Sequence, residues 1–269
     1  MFVPPNIPRS KQETRSLLFD CLLFLLFLFM LGWLASRSIE NLGYYWQWYQ
    51  VPDFIGTFAE GSFRAGPLLK GLKITLQISG ISLVCAFFIG LVTALLRLST
   101  SRVGHALAVI YLEISRNTPL LIQIFFIYFV FGPILGLERF SSAVLALSLF
   151  EGAYTSEIFR TGILSIDRGQ HEAAASFGLS NIQRYRFIIL PQAIKKIVPP
   201  LTNQAISLIK DSALVSTIAI YDLTMQAQML VAETYLSFEI WFTVALIYLC
   251  INIFLSIAVF LMEKKFNYS

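Results

Sequence analysis

The chain has 269 residues, 57% hydrophobic and 13% charged, with 24 Phe and a formal net charge of +4. Soluble domains carry about 25% charged residues, so this composition excludes an ordinary soluble domain and gives the length to about six membrane spans of roughly 20 residues each. The basic residues form no dense Lys/Arg patch with interleaved aromatics, which argues against nucleic acid as a partner and for basic loops beside membrane lipid.

Six apolar segments follow, near residues 17–36, 72–96, 107–131, 140–163, 187–209 and 239–261. The first has a charged lead (Arg9, Lys11, Arg15) and small residues at its end (Ala35, Ser36), the outline of a secretory signal. Its apolar run is long enough to span and no A-x-A site follows, which predicts a retained helix. Next comes Tyr44-Tyr45-Trp46-Gln47-Trp48-Tyr49, a cluster suited to the membrane interface or to a partner's surface. Cys21, Cys85 and Cys250 all fall in apolar segments without C-x-x-C spacing. They read as small residues of an apolar environment, neither metal ligands nor a disulfide framework.

An ionisable side chain inside a span costs about 2.5–3.5 kcal/mol on insertion scales and so marks a functional or paired site. Arg116 falls well inside the third segment, Glu151 about halfway through the fourth, and Glu157 nearer its end. The similar depths predict a Glu151–Arg116 pair. A Glu113–Arg116 pair at i, i+3 is the alternative. Such groups either hold helices together or line a solute path, and the sequence leaves both open.

Between the fourth and fifth segments lies a polar, basic insert. Asp167 can cap a helix starting near Arg168, with Gln170 as capping-box partner, and Gly178 can stop it. Ser180 can cap a second short helix with Gln183 three residues on, and Pro191 suits the first turn of the next span. Ala173, Ala174 and Gly178 would let another backbone approach closely, with Phe177 as a bulky knob beside them. The plainer alternative is an amphipathic loop on the membrane. In the fifth segment Pro199-Pro200 removes two backbone donors, which predicts a broken span of the kind that borders a translocation site. Beyond it follow Asn203, Gln204, Ser207, Lys210 and Asp211, of which Asn203, Ser207 and Lys210 share a helical face. They would line a path for a zwitterionic solute, or form a helix end at the outer surface.

With the N-terminus inside, 13 Lys/Arg fall on inner segments (Arg9, Lys11, Arg15, Arg97, Arg102, Arg160, Arg168, Arg184, Arg186, Lys195, Lys196, Lys264, Lys265) and six on outer ones (Arg37, Arg64, Lys70, Lys73, Arg139, Lys210). That bias places both termini and the polar insert in the cytoplasm. No P-loop occurs: Gly66 to Gly71 continues Leu72-Lys73, one position late. His171-Glu172 lacks the second histidine of H-E-x-x-H, since residue 175 is Ala, and no G-x-S-x-G is present. With His105 and His171 as its two histidines, the chain is expected not to be an enzyme by itself.

Glu172, Ala173, Ala174, Gly178, Ile188, Leu190 and Pro191 have the residues and spacing of the EAA loop, and the chain resembles the permease subunits of bacterial ABC importers. Four flanking stretches, Arg116-Asn117-Thr118-Pro119-Leu120, Glu157-Ile158-Phe159-Arg160, Gly169-Gln170 and Leu208-Ile209-Lys210-Asp211-Ser212-Ala213-Leu214, resemble the polar amino acid (histidine/glutamine/glutamate-type) branch. The resemblance covers about residues 70–265. It implies an all-α membrane protein of about six transmembrane helices in the bacterial inner membrane, with a type I importer core and a cytoplasmic helix-turn-helix coupling loop. It also implies separate ATP-binding subunits that carry ATP and Mg and dock on Glu172, Ala173, Ala174, Phe177 and Gly178. An extracytoplasmic solute-binding protein and a second permease copy or sister permease complete the assembly. No cofactor is expected in this chain. Residues 1–69 read as an added span and outer loop, and 266–269 as a cytoplasmic tail. Family members often have five spans with the N-terminus outside, so one added span agrees with the charge count. The rival function is a stand-alone channel or ion-coupled carrier.

Overall fold

The computed structural model describes residues 11–59 and 61–267; Arg9 of the charged lead lies outside them. The chain divides into two compact units after Gln47. The first holds α1 (Lys11–Leu42), whose apolar stretch runs from Phe19 to Leu34. At ~1.5 Å per residue that stretch is shorter than the ~30 Å bilayer core. Its large side chains are exposed, Phe29 at 75%, as suits contact with lipid. The Arg37 guanidinium lies 5.1 Å from the Trp33 ring.

The second unit opens with a 3-10 turn (Trp48–Gln50), α2 (Val51–Ile55) and a hairpin of β1 (Gly56–Ala59) and β2 (Ser62–Ala65). Phe58 pairs with Phe63 across the strands. The stretch expected as loop thus contains a hairpin: Thr57, Phe58 and Phe63 favour strand, and Gly61 supplies a turn at φ +73°. Elsewhere the described residues are almost wholly helical.

The centre is α3 (Pro67–Leu98) against α7 (Arg139–Leu164). Small residues let the two backbones approach, as membrane helices require. A Cβ on Gly90 would lie 2.6 Å from Thr155 Cγ2, and one on Gly152 would lie 2.8 Å from Ile89 Cγ2. α7 buries its polar face, including Ser148, Glu151, Thr155 and Ser156, against protein.

α3 and the stretch Ser237–Leu261 of α12 (Ser237–Asn267) are each long and apolar enough to cross a membrane. The expected third span is broken. α4 (Arg102–Asn117) ends before Thr118-Pro119, and the chain turns by 111° into α5 (Leu120–Phe125), a π-turn (Phe126–Phe131) and α6 (Gly132–Leu135). Pro119 explains the break, because it disfavours helix at Thr118. After α7 come α8 (Arg168–Ser176), α9 (Asn181–Arg184), a π-turn (Tyr185–Ile189) and α10 (Leu190–Asp211).

Contrary to expectation, α10 runs without interruption through Pro199-Pro200. Proline keeps a helical φ, though it removes a donor and its ring crowds the carbonyl four residues back; Thr202 Oγ1 donates to Val198 O across the site at 2.5 Å. The break comes later. A seven-residue 3-10 helix (Ser212–Ile218) ends at Ala219 with φ 55°, and the path bends by 50° into α11 (Leu223–Thr234). Counting each bent pair once, the described helices give up to four spans by length and apolarity. α7, more polar and buried, and the short apolar stretch of α1 fall outside that count.

Candidate functional site

Two places collect the sequence-predicted residues. The first is the loop at the end of the molecule where α3 and α7 finish. Asp167 accepts the Gly169 N–H at 2.6 Å and caps α8. Gln170 does not close a capping box; its Oε1 accepts from Gln192 Nε2 of α10 at 3.3 Å. α8 stops where Gly178 takes φ +73°, a left-handed backbone that glycine adopts at least cost. Ser180 and Gln183 form the reciprocal capping box. α9 then flows through the π-turn into α10 and is not a separate helix. The wide turn carries the Leu190 N–H to Tyr185 O just ahead of Pro191, whose ring would crowd a tighter one.

Within this loop Glu172 pairs with Arg168 at 3.0 Å on the surface. Ala173 and Gly178 are exposed and Phe177 stands 83% exposed. Ala174 is fully buried, so it seats α8 on its own chain and is not offered outward. Around Gly178 the chain leaves open space: a Cβ there would meet nothing within 4 Å.

The second place is the seam between α7 and α10. Glu151 is 1% exposed and accepts from Gln204 Nε2 at 2.5 Å, and its Oε1 has no donor. Asp211, half-buried, lies beside it one face along α10. The two carboxyl groups lie within hydrogen-bonding reach of each other, with the Gln204 amide on Glu151 and the Lys210 cation beside Asp211, and a buried carboxyl pair of this kind favours an added cation. Ser207 is half-buried, and Asn203 and Lys210 are exposed on the adjoining face of α10.

The predicted Glu151–Arg116 pair is not formed. Arg116 is exposed in the last turn of α4, just before the Thr118-Pro119 break, so it is not at the depth a straight span would give it. The Glu113–Arg116 alternative fails too: Glu113 Oε2 accepts from Asn117 at 2.8 Å. Glu157 sits near the α8 end between two arginines, Arg97 Nη1 of α3 at 2.5 Å and Arg160 of its own helix. It ties α3 to α7 there. Gln204, one of the polar residues after Pro199-Pro200, and Arg97, one of the inner basic residues, carry partners that the sequence does not give: Glu151 and Glu157. Gln204 lies seven residues before Asp211, on one face, and Arg97 closes a long apolar run.

The model of the binding-protein-dependent transport system inner membrane component family matches residues 86–268. The chain belongs to that family. This permease is 40% identical to the probable glutamine ABC transporter permease protein GlnP of Bacillus subtilis (strain 168), over 79% of this chain and 99% of the relative. It is 37% identical to the arginine transport system permease protein ArtQ of the same organism, over 79% and 96%. Among solved structures, a crystal structure of an amino acid ABC transporter with histidines superposes with a TM-score of 0.70 at 36% identity, covering 74% of this chain and 94% of that one. The permease is therefore a multi-pass inner-membrane protein and a transport subunit. The alternative of a stand-alone channel finds no support among these relatives. The matched region contains both the α8–α9 loop and the α7–α10 seam.

Proposed function

We propose that this permease carries polar amino acids inward, driven by ATP hydrolysis on separate subunits. The carrying observation is an exposed loop joined through α10 to a buried acidic seam: Phe177 is exposed after α8, and Glu151 of α7, buried against Gln204 of α10, keeps Oε1 without a donor. Two ATP-binding subunits, holding ATP and Mg, dock on Glu172, Ala173, Phe177 and Gly178, with Ala174 supporting α8 from beneath. The seam of Glu151, Gln204 and Asp211 receives the solute's ammonium group, and Asn203, Ser207 and Lys210 line the approach. Arg116 and Glu157 are not path residues in this reading: one is exposed in the last turn before a helix break, the other committed to two arginines.

The charge count supports a cytoplasmic α8 end and both termini inside. An extracytoplasmic binding protein then delivers solute at the hairpin end, and a second copy or sister permease completes the path. The transport core starts near residue 70. The glutamine and arginine named for the relatives support an amino acid as cargo. The test is reconstitution in proteoliposomes with candidate ATP-binding subunits and binding protein. Labelled amino acids should accumulate only when ATP and all components are present. Uptake by this chain alone would refute the proposal.

A further inference from the structure

We infer that Lys196 and Gln192 of α10 are the positioning residues through which movement of α8 reaches the acidic seam. α8 is weakly attached to its own chain, with Ala174 as its buried residue. Among the described residues, the side chain of α10 that hydrogen-bonds an α8 side chain is Gln192, whose Nε2 donates to Gln170 Oε1 at 3.3 Å. Gln192 also donates to Ile188 O at 2.8 Å, which fixes the amide along α10.

One turn on, Lys196 Nζ donates to Ser165 O at 2.8 Å. Ser165 is the C-terminal cap of α7 and stands two residues before Asp167, the N-terminal cap of α8. An ammonium there meets carbonyls that the helix end leaves unpaired, and the negative end of the α7 dipole. Lys196 thus grips the short connector on which α8 swings. The next residue, Ile197, packs so closely on Gly162 of α7 that a Cβ there would lie 2.2 Å from Ile197 Cγ1. Ile189 and Ala193 are fully buried beside Phe159 and Ile166.

α10 carries this grip and the seam on one uninterrupted helix. Gln204 lies eight residues beyond Lys196, about 12 Å along the axis. Pro199-Pro200 stand between them, where two backbone hydrogen bonds are missing. A displacement of the α8 connector enters α10 at Lys196 and Gln192 and shifts Gln204 against Glu151.

The inference rests on α8 being the ATPase dock. Its test uses the whole complex, permease with ATP-binding subunits and binding protein, in proteoliposomes where uptake and ATP hydrolysis are read together. Lys196→Met and Gln192→Leu should keep hydrolysis within about twofold and cut solute carried per ATP by about fivefold or more, the usual size of a coupling effect. Lys196→Arg should restore the ratio, since the guanidinium can reach the same carbonyl. An unchanged ratio in Gln192→Leu and in the double variant would overturn the inference. So would failure of Lys196→Arg to recover while the subunits still co-purify. If the unmodified complex shows no ATP-dependent uptake, the proposed function falls with it, so the two failures are told apart by that control.

Discussion

Glu151→Gln separates folding from transport. Glu151 Oε2 accepts from Gln204 at 2.5 Å, while Oε1 is buried without a donor. A buried polar atom left unpaired costs about 1–3 kcal/mol. Glutamine keeps an acceptor for Gln204 and puts an N–H₂ where Oε1 now lies, facing the Asp211 carboxyl. The variant should therefore be as stable as the parent or more so, by about 1 kcal/mol, seen as an equal or higher melting temperature of the purified complex. Transport should move the other way. A hydrogen bond to a charged group is worth about 1.5–3 kcal/mol, so losing the charge that holds a solute ammonium should weaken solute capture by roughly ten- to hundredfold. Uptake by proteoliposomes over a range of solute concentrations reads this directly. Parental uptake, or a variant destabilised by more than about 2 kcal/mol, would show that the carboxylate serves the fold and not the cargo.

Glu172→Lys breaks an exposed i, i+4 pair worth about 0.5 kcal/mol or less, so the protein should insert normally yet lose transport and co-purification of the ATP-binding subunits. Gly178→Asp places a β-substituted residue in the left-handed region at about 1–2 kcal/mol, with no clash inside the chain; loss of ATP-driven uptake with normal membrane levels is expected, and normal uptake would disprove the docking role. Gly90→Val drives side chain into Thr155 and the Ser156 backbone, an overpacking of about 1–3 kcal/mol that should lower the melting temperature whatever the solute. Arg97→Met leaves Glu157 with Arg160 alone; because the pair is partly exposed, the loss should be about 1 kcal/mol or less, read by thermal denaturation.

The loop was legible because its signals are local. Asp167, Gly178 and the Ser180/Gln183 pair act within a turn of themselves, and each sits in the structure at the cap or stop its type prefers. What depends on distant partners was not legible. Arg116 was given depth by assuming a straight span, although Pro119 was in plain view as a breaker. Pro199-Pro200 looked like the break and was not, while Ala219, which turns the chain, carries neither Gly nor Pro to announce it. Glu151 was found by the cost of its charge, but its partner is set by how α7 and α10 pack, and no spacing within one segment encodes that. The hairpin lay under a span count too coarse to see it.

The 3-10 segment Ser212–Ile218 has a consequence for length. Seven residues at about 2.0 Å each reach about 14 Å, where α-helix would reach about 10.5 Å. It also advances about 120° per residue against 100°, so over seven residues the two windings differ in phase by about 140°. The face that α11 presents to α3 is therefore set by the winding of this short stretch as much as by its sequence. Rewinding it as α-helix would draw α11 toward α10 by about 3.5 Å and turn it by a little over a third of a circle, which makes the C-terminal end of α10 a screw thread rather than a simple bend.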